Sequence, residues 1–558
     1  MFVRTKKSGR YEYLQVVHNE RVDGQVRQRV IATLGRADEL QASGHVDGIM
    51  ASLGRYAERT AVLTAHRRGE IPEADTLRIG PALLFERLWE ELGIRQALEA
   101  RLSGRRFEFP VERAVFLTVL HRLFASGSDR AAEHWRRRYR IEGTEELSLH
   151  HLYRAMAWLG EVLPEKEQRG ATPFVPRTTK DLLEEALFAR HRDLFSGLEL
   201  VFFDTTTLYF EGQGGETLGR YGHSKDKRPD RKQMVVGAVL DGTGRPLSSE
   251  LWPGNTTDVK SLLPVVDRLR ERFGVGELCV VCDRGMISQK TVKRLRETPG
   301  VHYILGARMR RVKEVRDQVL GRPGRYREVR GPRASRDDPA PLKVKDVRVG
   351  DRRYVVCLNE EEAEKDRADR QAIVAALREQ LKQGDKSLVG NKGYRRYLKA
   401  PAEGRFQVDE EKIAREARYD GKWVLTTDLE LDAAEVALRY KELWQVEALF
   451  RTVKSLLETR PIYHQSDAAI RGHVFCSFLG LLLLHELRER MAGRAWVYEW
   501  ERLKEDLNAL EEIRVKNHGS TFWIRSRTRG EVGQAFQAVG VRLGSTVRFE
   551  DGEESLAR

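Results

Sequence analysis

The sequence predicts an α/β fold in which a helical N-terminal region precedes a sheet that a long, largely β segment interrupts. Apolar residues recur at helical spacing from about 78 to 190, and short β-rich runs alternate with amphipathic helices from about 198 to 308. The helix that should come next begins only after residue 428. Because a structureless loop of that length is uncommon in a compact protein, we predict an inserted, mainly β domain over 309–428.

Composition limits the class of protein and its surroundings. The chain has 558 residues, 33% of them charged, and a formal net charge of +14. This length requires several structural units, and this charge favours a polyanionic partner, because basic proteins release the counterions of nucleic acid. Four cysteines exclude a disulfide-built secreted protein and suit a reducing cytoplasm. The longest apolar run, 478–484, is far shorter than the ~20 residues of a membrane span, so we expect a cytoplasmic, nucleoid-associated protein and no membrane partner.

The first 190 residues divide into two predicted regions. Residues 1–60 form a β-hairpin and a helix, since β-forming residues flank an Asp23-Gly24 turn. Residues 61–190 form a helical region that we predict to bind DNA. Within it, the basic and aromatic stretch 135–140 lies either on phosphates or at a solvated helix end. The helices of this region are expected at Pro81–Leu92, Val111–Phe124, Ala131–Tyr139 and Leu149–Leu163.

The segment 191–308 carries an order of elements that indicates the fold. Strands are predicted at Leu198–Phe203, Gln233–Leu240, Pro246–Trp252, Leu278–Asp283 and Tyr303–Leu305, with helices at Asp258–Phe273 and Ser288–Glu297. Three strands in a meander, then a helix, a strand, a helix and a strand, is the order of a ribonuclease-H-like core. After a strand at 422–427, the delayed helix 433–457 opens the second part of this core, 429–489. The C-terminal region, 490–558, is expected to serve dimerisation or DNA contact.

Three acidic residues stand where such a core would bring them together. Asp204 and Asp283 each end a short apolar strand, and Glu447 lies on the delayed helix. In phosphodiester cleavage, two divalent ions about 4 Å apart activate the nucleophile and stabilise the leaving oxyanion, and hard carboxylate oxygens hold Mg²⁺. Each acid taken alone is as readily a turn, cap or surface residue. Together they predict a site for two Mg²⁺ or Mn²⁺ ions.

The delayed helix also carries cationic and aromatic side chains. At about 100° per residue, one face presents Tyr440, Trp444, Glu447, Arg451 and Lys454. Such groups suit a DNA end, because cations contact phosphates and aromatic rings stack on bases. The alternative is that Tyr440 and Lys454 are ordinary surface residues. We expect Trp444 to be a core residue.

A basic segment, 220–232, follows the first acid and is predicted to lie at the rim of the same site. We expect it to contact the DNA backbone, and each phosphate neutralised should add about −0.9 to the salt dependence of binding. The alternative is a solvated loop. The candidate DNA-binding residues of this segment are Lys225, Lys227, Arg228, Arg231 and Lys232.

With these motifs the chain resembles the DDE transposases of bacterial insertion sequences, in the branch with a β insertion and the signature Y-x2-R-x3-E-x6-K. The resemblance covers about 198–487 and rests on Asp204, Asp283, Tyr440, Glu447 and Lys454. It implies metal-dependent cutting of an element's terminal inverted repeats and strand transfer into target double-stranded DNA. It also implies cut-and-paste transposition by a homodimer in a synaptic complex. In relatives of this branch the second strand is cut through a DNA hairpin.

The signature is incomplete at one position. Leu443 stands where the arginine is expected, and an apolar side chain cannot bind a phosphate. Arg451, one turn beyond Glu447, is the first candidate to replace it, and Lys441 is the second. Two other classes of protein also fit the sequence: a ribonuclease-H-like nuclease that cuts without joining, and a non-catalytic DNA-binding protein derived from a transposase.

Overall fold

The computed structural model of the chain describes residues 2–22, 25–43, 45, 46, 49, 73–169, 171–172, 175–191, 199–333, 338–383, 396–399, 406–517 and 520–549. These residues form a mixed α/β protein with two compact units. The terminal unit comprises Met1–Arg78, Ala509–Thr528 and Leu543–Arg558, and the main unit comprises Ile79–Asn508 and Arg529–Arg542.

The N-terminal part of the terminal unit is an antiparallel sheet of three strands. They are β1 (Phe2–Ser8), β2 (Tyr11–Val22) and β3 (Gln25–Arg36), and helix α1 (Ala37–Ala42) follows them. The pairing of Val22 with Gln25 confirms the predicted hairpin, although both strands are longer than expected. β1 was not predicted from the sequence, because lysine and arginine residues dilute its β-forming character.

A second sheet of the terminal unit combines one strand from the N-terminal part of the chain with three strands from the C-terminal part. Its strands are β4 (Glu73–Arg78), β16 (Glu511–Asn517), β17 (Ser520–Arg525) and β18 (Val547–Phe549), in the order β18-β17-β16-β4. β4 pairs antiparallel with β16, so that Arg78 lies opposite Glu511. No local pattern predicts this pairing, because the partner of a strand is chosen only when distant parts of the chain meet.

The described part of the main unit begins with six α-helices. They are α2 (Gly80–Glu91), α3 (Ile94–Leu102), α4 (Val111–Phe124), α5 (Asp129–Arg136), α6 (Leu149–Leu159) and α7 (Thr179–His191). Four of them lie where the helical periodicity predicts them, and α4 has the predicted bounds. Every residue of α4 is buried, so it is a central helix of this unit.

A mixed sheet of nine strands forms the centre of the main unit in the described part of the chain. Its strands are β5 (Glu199–Tyr209), β6 (Gln233–Asp241), β7 (Pro246–Pro253), β8 (Leu278–Cys282), β9 (Val301–Gly306), β10 (Arg327–Arg330), β11 (Leu342–Val349), β12 (Arg352–Leu358) and β15 (Lys422–Thr427). Their spatial order is β10-β11-β12-β15-β9-β8-β5-β6-β7. β8 runs parallel to both β5 and β9, whereas the other neighbouring strands are antiparallel.

The strands predicted for an inserted domain do not form a sheet of their own. β12 pairs with β15 and β15 pairs with β9, so β10, β11 and β12 extend the central sheet. The physical reason is that the open edge of β9 offers unpaired N–H and C=O groups, which β15 satisfies. The segment also holds α10 (Glu360–Gln383), α11 (Glu410–Ala417) and the short pair β13 (Leu398–Lys399) and β14 (Gln407–Val408). The domain boundaries remain predictions.

Two helices cover one side of the central sheet. They are α8 (Asp258–Phe273) and α9 (Gln289–Glu297), and α8 has the predicted bounds. The Ser288 hydroxyl accepts a hydrogen bond from the Thr291 N–H and so caps the N-terminus of α9. Apolar residues of both helices pack on alternate residues of β5, β6, β8 and β9 to form one core. This core holds the strands on which the candidate site is built.

The last helices of the main unit include its longest one. They are α12 (Ala433–Lys441), α13 (Trp444–Ser455), α14 (Asp467–Ala492), α15 (Trp500–Asn508) and α16 (Val532–Val539). By length and composition α14 is apolar enough to cross a membrane, yet 89% of its most apolar stretch is buried inside the protein. This helix is therefore a core helix.

Candidate active site

Asp204 and Asp283 meet at one edge of the parallel strands. β5 pairs with β8 up to the Phe203–Cys282 pair, so the two aspartates are the next residues on neighbouring strands. β8 ends at Cys282, but β5 continues beside β6 to Tyr209. The prediction that Asp204 ends its strand was therefore wrong. The apolar run stops there, yet the following residues keep their strand pairing.

Asp204 lies in surroundings that disfavour its negative charge. Burial raises the pKa of Asp204 to about 6, with the Asp283 and Asp258 carboxylates adding to the effect and the Lys225 ammonium opposing it. The Thr205 N–H donates to Asp204 Oδ1 at 2.7 Å and also opposes the shift. Three carboxylates thus accompany the Lys225 ammonium at this edge, and the site favours additional positive charge.

This raised pKa predicts a pH-dependent stability. Between the ordinary aspartate pKa of about 4 and the raised pKa of about 6, folded Asp204 binds more protons than unfolded Asp204. In metal-free buffer the free energy of unfolding should therefore fall as the pH rises from about 4 to about 6. Asp204→Asn should remove this cost and stabilise the protein by up to about 2 kcal/mol above pH 6.

Urea unfolding at several pH values in EDTA measures this effect. Asp267→Asn, at an exposed position of α8, is the matched control and should leave the pH profile unchanged. If Asp204→Asn shifts the unfolding midpoint equally at pH 4 and pH 7, the negative charge of Asp204 does not destabilise the folded protein, and the prediction is wrong.

Asp258, the first residue of α8, is an acid of this site that the sequence analysis did not single out. Its Oδ1 accepts from the Thr205 hydroxyl at 2.8 Å, and its Oδ2 pairs with Lys225 Nζ at 3.3 Å. A β-carbon added to Gly285 would lie 3.9 Å from Asp258 Oδ2 and 3.9 Å from Asp283 Oδ2. The two carboxylates therefore both lie beside Gly285. The sequence marks Asp258 only as a helix start, since tertiary packing brings α8 to β5.

Lys225 lies among these acids rather than along an outer rim. Its Nζ donates to the Thr205 carbonyl at 2.7 Å and to the Thr205 hydroxyl at 3.0 Å. The side chain is 31% exposed. Lys225 therefore links the strand of the first aspartate to Asp258.

The delayed helix is two helices, not one. Three N–H groups around the turn bond to carbonyls three residues earlier, in the pairs Leu443 to Tyr440, Gln445 to Glu442 and Val446 to Leu443. This tighter spacing separates α12 from α13 and changes the direction of side chains after the turn. The prediction that five residues share one helix face was therefore wrong. No proline or glycine marks the break in the sequence.

The residues of the predicted face consequently have different surroundings. The Tyr440 hydroxyl donates to Asp283 Oδ1 at 3.1 Å, so Tyr440 belongs to the carboxylate cluster. Trp444 is 61% exposed, and its expected place in the core was wrong. Glu447 and Arg451 are also exposed on α13. The buried side of α13 is formed instead by Val446, Phe450 and Val453.

Glu447 does not form a compact cluster of potential metal ligands with Asp204 and Asp283. Among the described residues, a group of three potential ligands has all its ligand atoms within 4.8 Å of one another. That group is Asp129, His464 and His473, and it contains none of the predicted acids. The oxygens of Asp204, Asp283 and Glu447 are thus farther apart than that. The role of Glu447 as the third acid remains a prediction.

Lys454 is paired with an acid of the basic segment. Its Nζ donates to Asp226 Oδ1 at 2.7 Å, and Arg460 approaches the same oxygen at 3.6 Å. Neither Asp226 nor Arg460 is part of the signature in the sequence. No local signal distinguishes Asp226 from other loop acids, because its partners come from α13 and the loop that follows it.

Two families of known proteins match the chain. Residues 196–483 match the family described as the transposase DDE domain, which spans just over half of the chain and includes all three predicted acids. The chain belongs to the DDE transposase family. Residues 2–66 of this transposase match the N-terminal domain of IS1634 family transposases. No curated protein matches it.

Most predicted cations of the basic segment are held by neighbouring side chains of the transposase. Lys227, by contrast, is exposed, and its backbone has a positive φ of 57°. Exposed pairs contribute little stability and exchange readily with other partners. DNA contact by these side chains therefore remains a prediction. The pairs are Arg228 with Asp230, Arg231 with Glu211, and Lys232 with Gln213.

A cluster of Asp129, His464 and His473 is the group whose ligand atoms lie within 4.8 Å in the described part of the transposase. Arg122 donates to His473 Nδ1 at 2.7 Å, so Nε2 carries the proton that bonds the Thr459 carbonyl at 3.1 Å. Both ring nitrogens of His473 are thus in use. Although burial acts the other way, the His464 hydrogen bond and the Arg122 charge lower the pKa of Asp129 to about 2. The Arg122 guanidinium already supplies positive charge beside Asp129, and the cluster forms a hydrogen-bond network around it.

Proposed function

We propose that this transposase cuts the ends of an insertion sequence in a metal-dependent reaction and joins them to target DNA. The proposal rests on the adjacent positions of Asp204 and Asp283, each directly after the last paired residue of the parallel strands β5 and β8. Such a pair of acids on neighbouring parallel strands is what a ribonuclease-H-like core supplies. In this proposal the core is formed by 191–308 and 429–489, and 309–428 is its insertion. The second strand would be cut through a DNA hairpin, in a cut-and-paste reaction.

The donor set fits two Mg²⁺ or Mn²⁺ ions. Carboxylate oxygens are the ligands that these hard ions prefer, and the raised pKa of Asp204 indicates a site short of positive charge. Asp204 and Asp283 would hold the ions, and Glu447 would complete the set from α13. When bound, such ions activate the attacking hydroxyl and stabilise the leaving oxygen.

The surrounding side chains would orient the acids and the DNA. Tyr440 donates to Asp283 Oδ1 and so fixes that carboxylate. Lys225 holds Asp258 and Thr205 beside Asp204. Lys454 would contact a phosphate next to the cut. We propose that the remaining cations meet the DNA backbone, and these are Arg451, Lys227, Arg228, Arg231 and Lys232.

The partner would be double-stranded DNA, first the terminal inverted repeats and then the target. The net charge of +14 and the match to a transposase N-terminal domain support DNA binding by the helical region 61–190 and by the N-terminal region. We propose a homodimer that bridges two element ends in a synaptic complex, with 490–558 contributing to dimerisation or DNA contact. The protein would act in the cytoplasm at the nucleoid.

A strand-transfer assay tests the proposal. Purified full-length protein is incubated with labelled duplexes that carry the inverted repeats flanking its gene, with a supercoiled target plasmid and with Mg²⁺ or Mn²⁺. We expect nicked ends and joined products, and neither in EDTA. Nicked ends without any joined product would indicate a nuclease instead, and metal-independent binding without cleavage would indicate a DNA-binding protein.

A further inference from the structure

The carboxylate of Asp226 gathers two cations beside the candidate site. Lys454 Nζ lies 2.7 Å and Arg460 Nη1 3.6 Å from the same oxygen, Asp226 Oδ1. The side chains of Asp226, Lys454 and Arg460 are 4%, 15% and 27% exposed, respectively. The acid therefore lies inside, and the two cations lie between it and solvent.

This cluster has a surplus of positive charge. A carboxylate as buried as Asp226 is stable only when it is paired, and one cation is enough to neutralise it. The second cation leaves a net charge of about +1, so the cluster is suited to an anion that approaches from the exposed side. The Arg460 guanidinium is also placed over the Tyr209 ring at 5.6 Å, which limits its movement.

The loop that carries Asp226 is fixed to β5. The Lys225 N–H donates to the Thr207 hydroxyl at 2.9 Å, and the Ser224 hydroxyl accepts from the N–H groups of Asp226 and Arg228 at 3.3 and 3.1 Å. The Lys225 side chain binds Thr205 on the same strand. These bonds hold the backbone at Asp226 next to the strand that carries Asp204.

We infer that Asp226 is a positioning residue that holds Lys454 and Arg460 together as a two-cation site for a DNA phosphate. Arg460 then fills the role of the signature arginine that Leu443 cannot fill. Arg451, the replacement that the sequence suggests, is exposed on α13, whereas Arg460 shares a carboxylate with the signature lysine. The inference deepens the proposed function and rests on it.

Binding measurements on the full-length protein test this inference. The probe is a fluorescein-labelled duplex with the inverted repeat that flanks the gene, and a scrambled duplex of equal length serves for comparison. Fluorescence anisotropy in EDTA at several salt concentrations gives the affinity and its salt dependence. We expect Lys454→Gln and Arg460→Gln each to weaken binding about tenfold and to reduce the salt slope by about 0.9, the effect of one phosphate contact.

The variant Asp226→Asn separates positioning from other roles. It should weaken binding of the wild-type sequence by about tenfold, because both cations lose their anchor. In a Lys454→Gln/Arg460→Gln background the same change should alter the affinity less than twofold. Lys293→Gln, on α9 with a side chain that is 76% exposed, is the matched control and should bind as the wild type does.

Three results would overturn the inference. Tighter binding by Asp226→Asn would make Asp226 an occupant that DNA displaces. Equal losses from Asp226→Asn in both backgrounds would make its role merely structural. A larger loss from Arg451→Gln than from Arg460→Gln would return the arginine role to α13. This last comparison stands even if Asp226→Asn does not fold, since neither arginine is fully buried. Wild-type protein that fails to prefer the inverted repeat contradicts the proposed function itself.

Discussion

Asp283→Asn should lower the rate of strand cleavage at the element ends by about 10³-fold or more, equivalent to about 4 kcal/mol of transition-state stabilisation. Asparagine keeps the size of the side chain and an oxygen that can accept from Tyr440, which donates to Asp283 Oδ1 at 3.1 Å. It removes the charge that would hold a divalent ion beside Asp204. Asp204→Asn should give the same loss, and both variants should still bind terminal DNA within about threefold of the wild type.

Single-turnover nicking of a labelled terminal duplex, with Mg²⁺ or Mn²⁺ at pH 8, measures the rate. Asp267→Asn is the matched control, since Asp267 is an exposed aspartate of α8, and it should cut at the wild-type rate. Undiminished cleavage by Asp204→Asn or Asp283→Asn would contradict the site assignment. Glu447→Gln tests the third acid separately. An equal loss supports its place in the site, and retained cleavage removes it.

Arg272→Met should destabilise the main unit by about 3–5 kcal/mol, because it leaves buried carboxylates without their cation. Arg272 lies on α8 and its side chain is 1% exposed. Its guanidinium joins α8 to α7 and β7 through three buried acids. These acids and their distances from Arg272 are Asp181 at 3.0 Å, Glu184 at 2.7 Å and Glu250 at 3.2 Å.

The midpoint of urea unfolding at pH 7 measures this loss. Lys260→Met, at an exposed position of the same helix, removes a cation without unpairing a buried acid and should change stability by less than about 0.5 kcal/mol. A similarly small effect of Arg272→Met would show that the network can rearrange around Arg268. Strong destabilisation by both variants would contradict the role of burial.

The same buried network predicts the direction in which pH changes the effect of Arg272→Met on stability. Although burial acts the other way, the Arg272 and Lys180 charges hold the pKa of Asp181 well below its ordinary range. A depressed pKa contributes stability above the ordinary aspartate pKa of about 4, and this contribution is lost as the pH falls below it. The difference between the wild type and Arg272→Met should therefore shrink below pH 4.

Local patterns predicted many of the elements that build the fold. Helical periodicity indicated the bounds of α8, and runs of β-forming residues indicated β6 and β7. Local patterns also indicated Asp204 and Asp283, because an acid after an apolar run is visible in the sequence alone. They did not indicate the break at Leu443, since the tight turn there contains ordinary helix-forming residues.

The sequence by itself thus determined that the chain alternates strands and helices, which acids follow the central apolar runs, and that its motifs are those of a DDE transposase. The tertiary structure decided how distant segments meet. It joined β10, β11 and β12 to the central sheet, brought Asp258 and Lys225 to Asp204, and placed Asp226 between Lys454 and Arg460. The physical reason is that strand pairing and buried ion pairs depend on which surfaces meet after folding. Helix and strand periodicity depends only on neighbours along the chain.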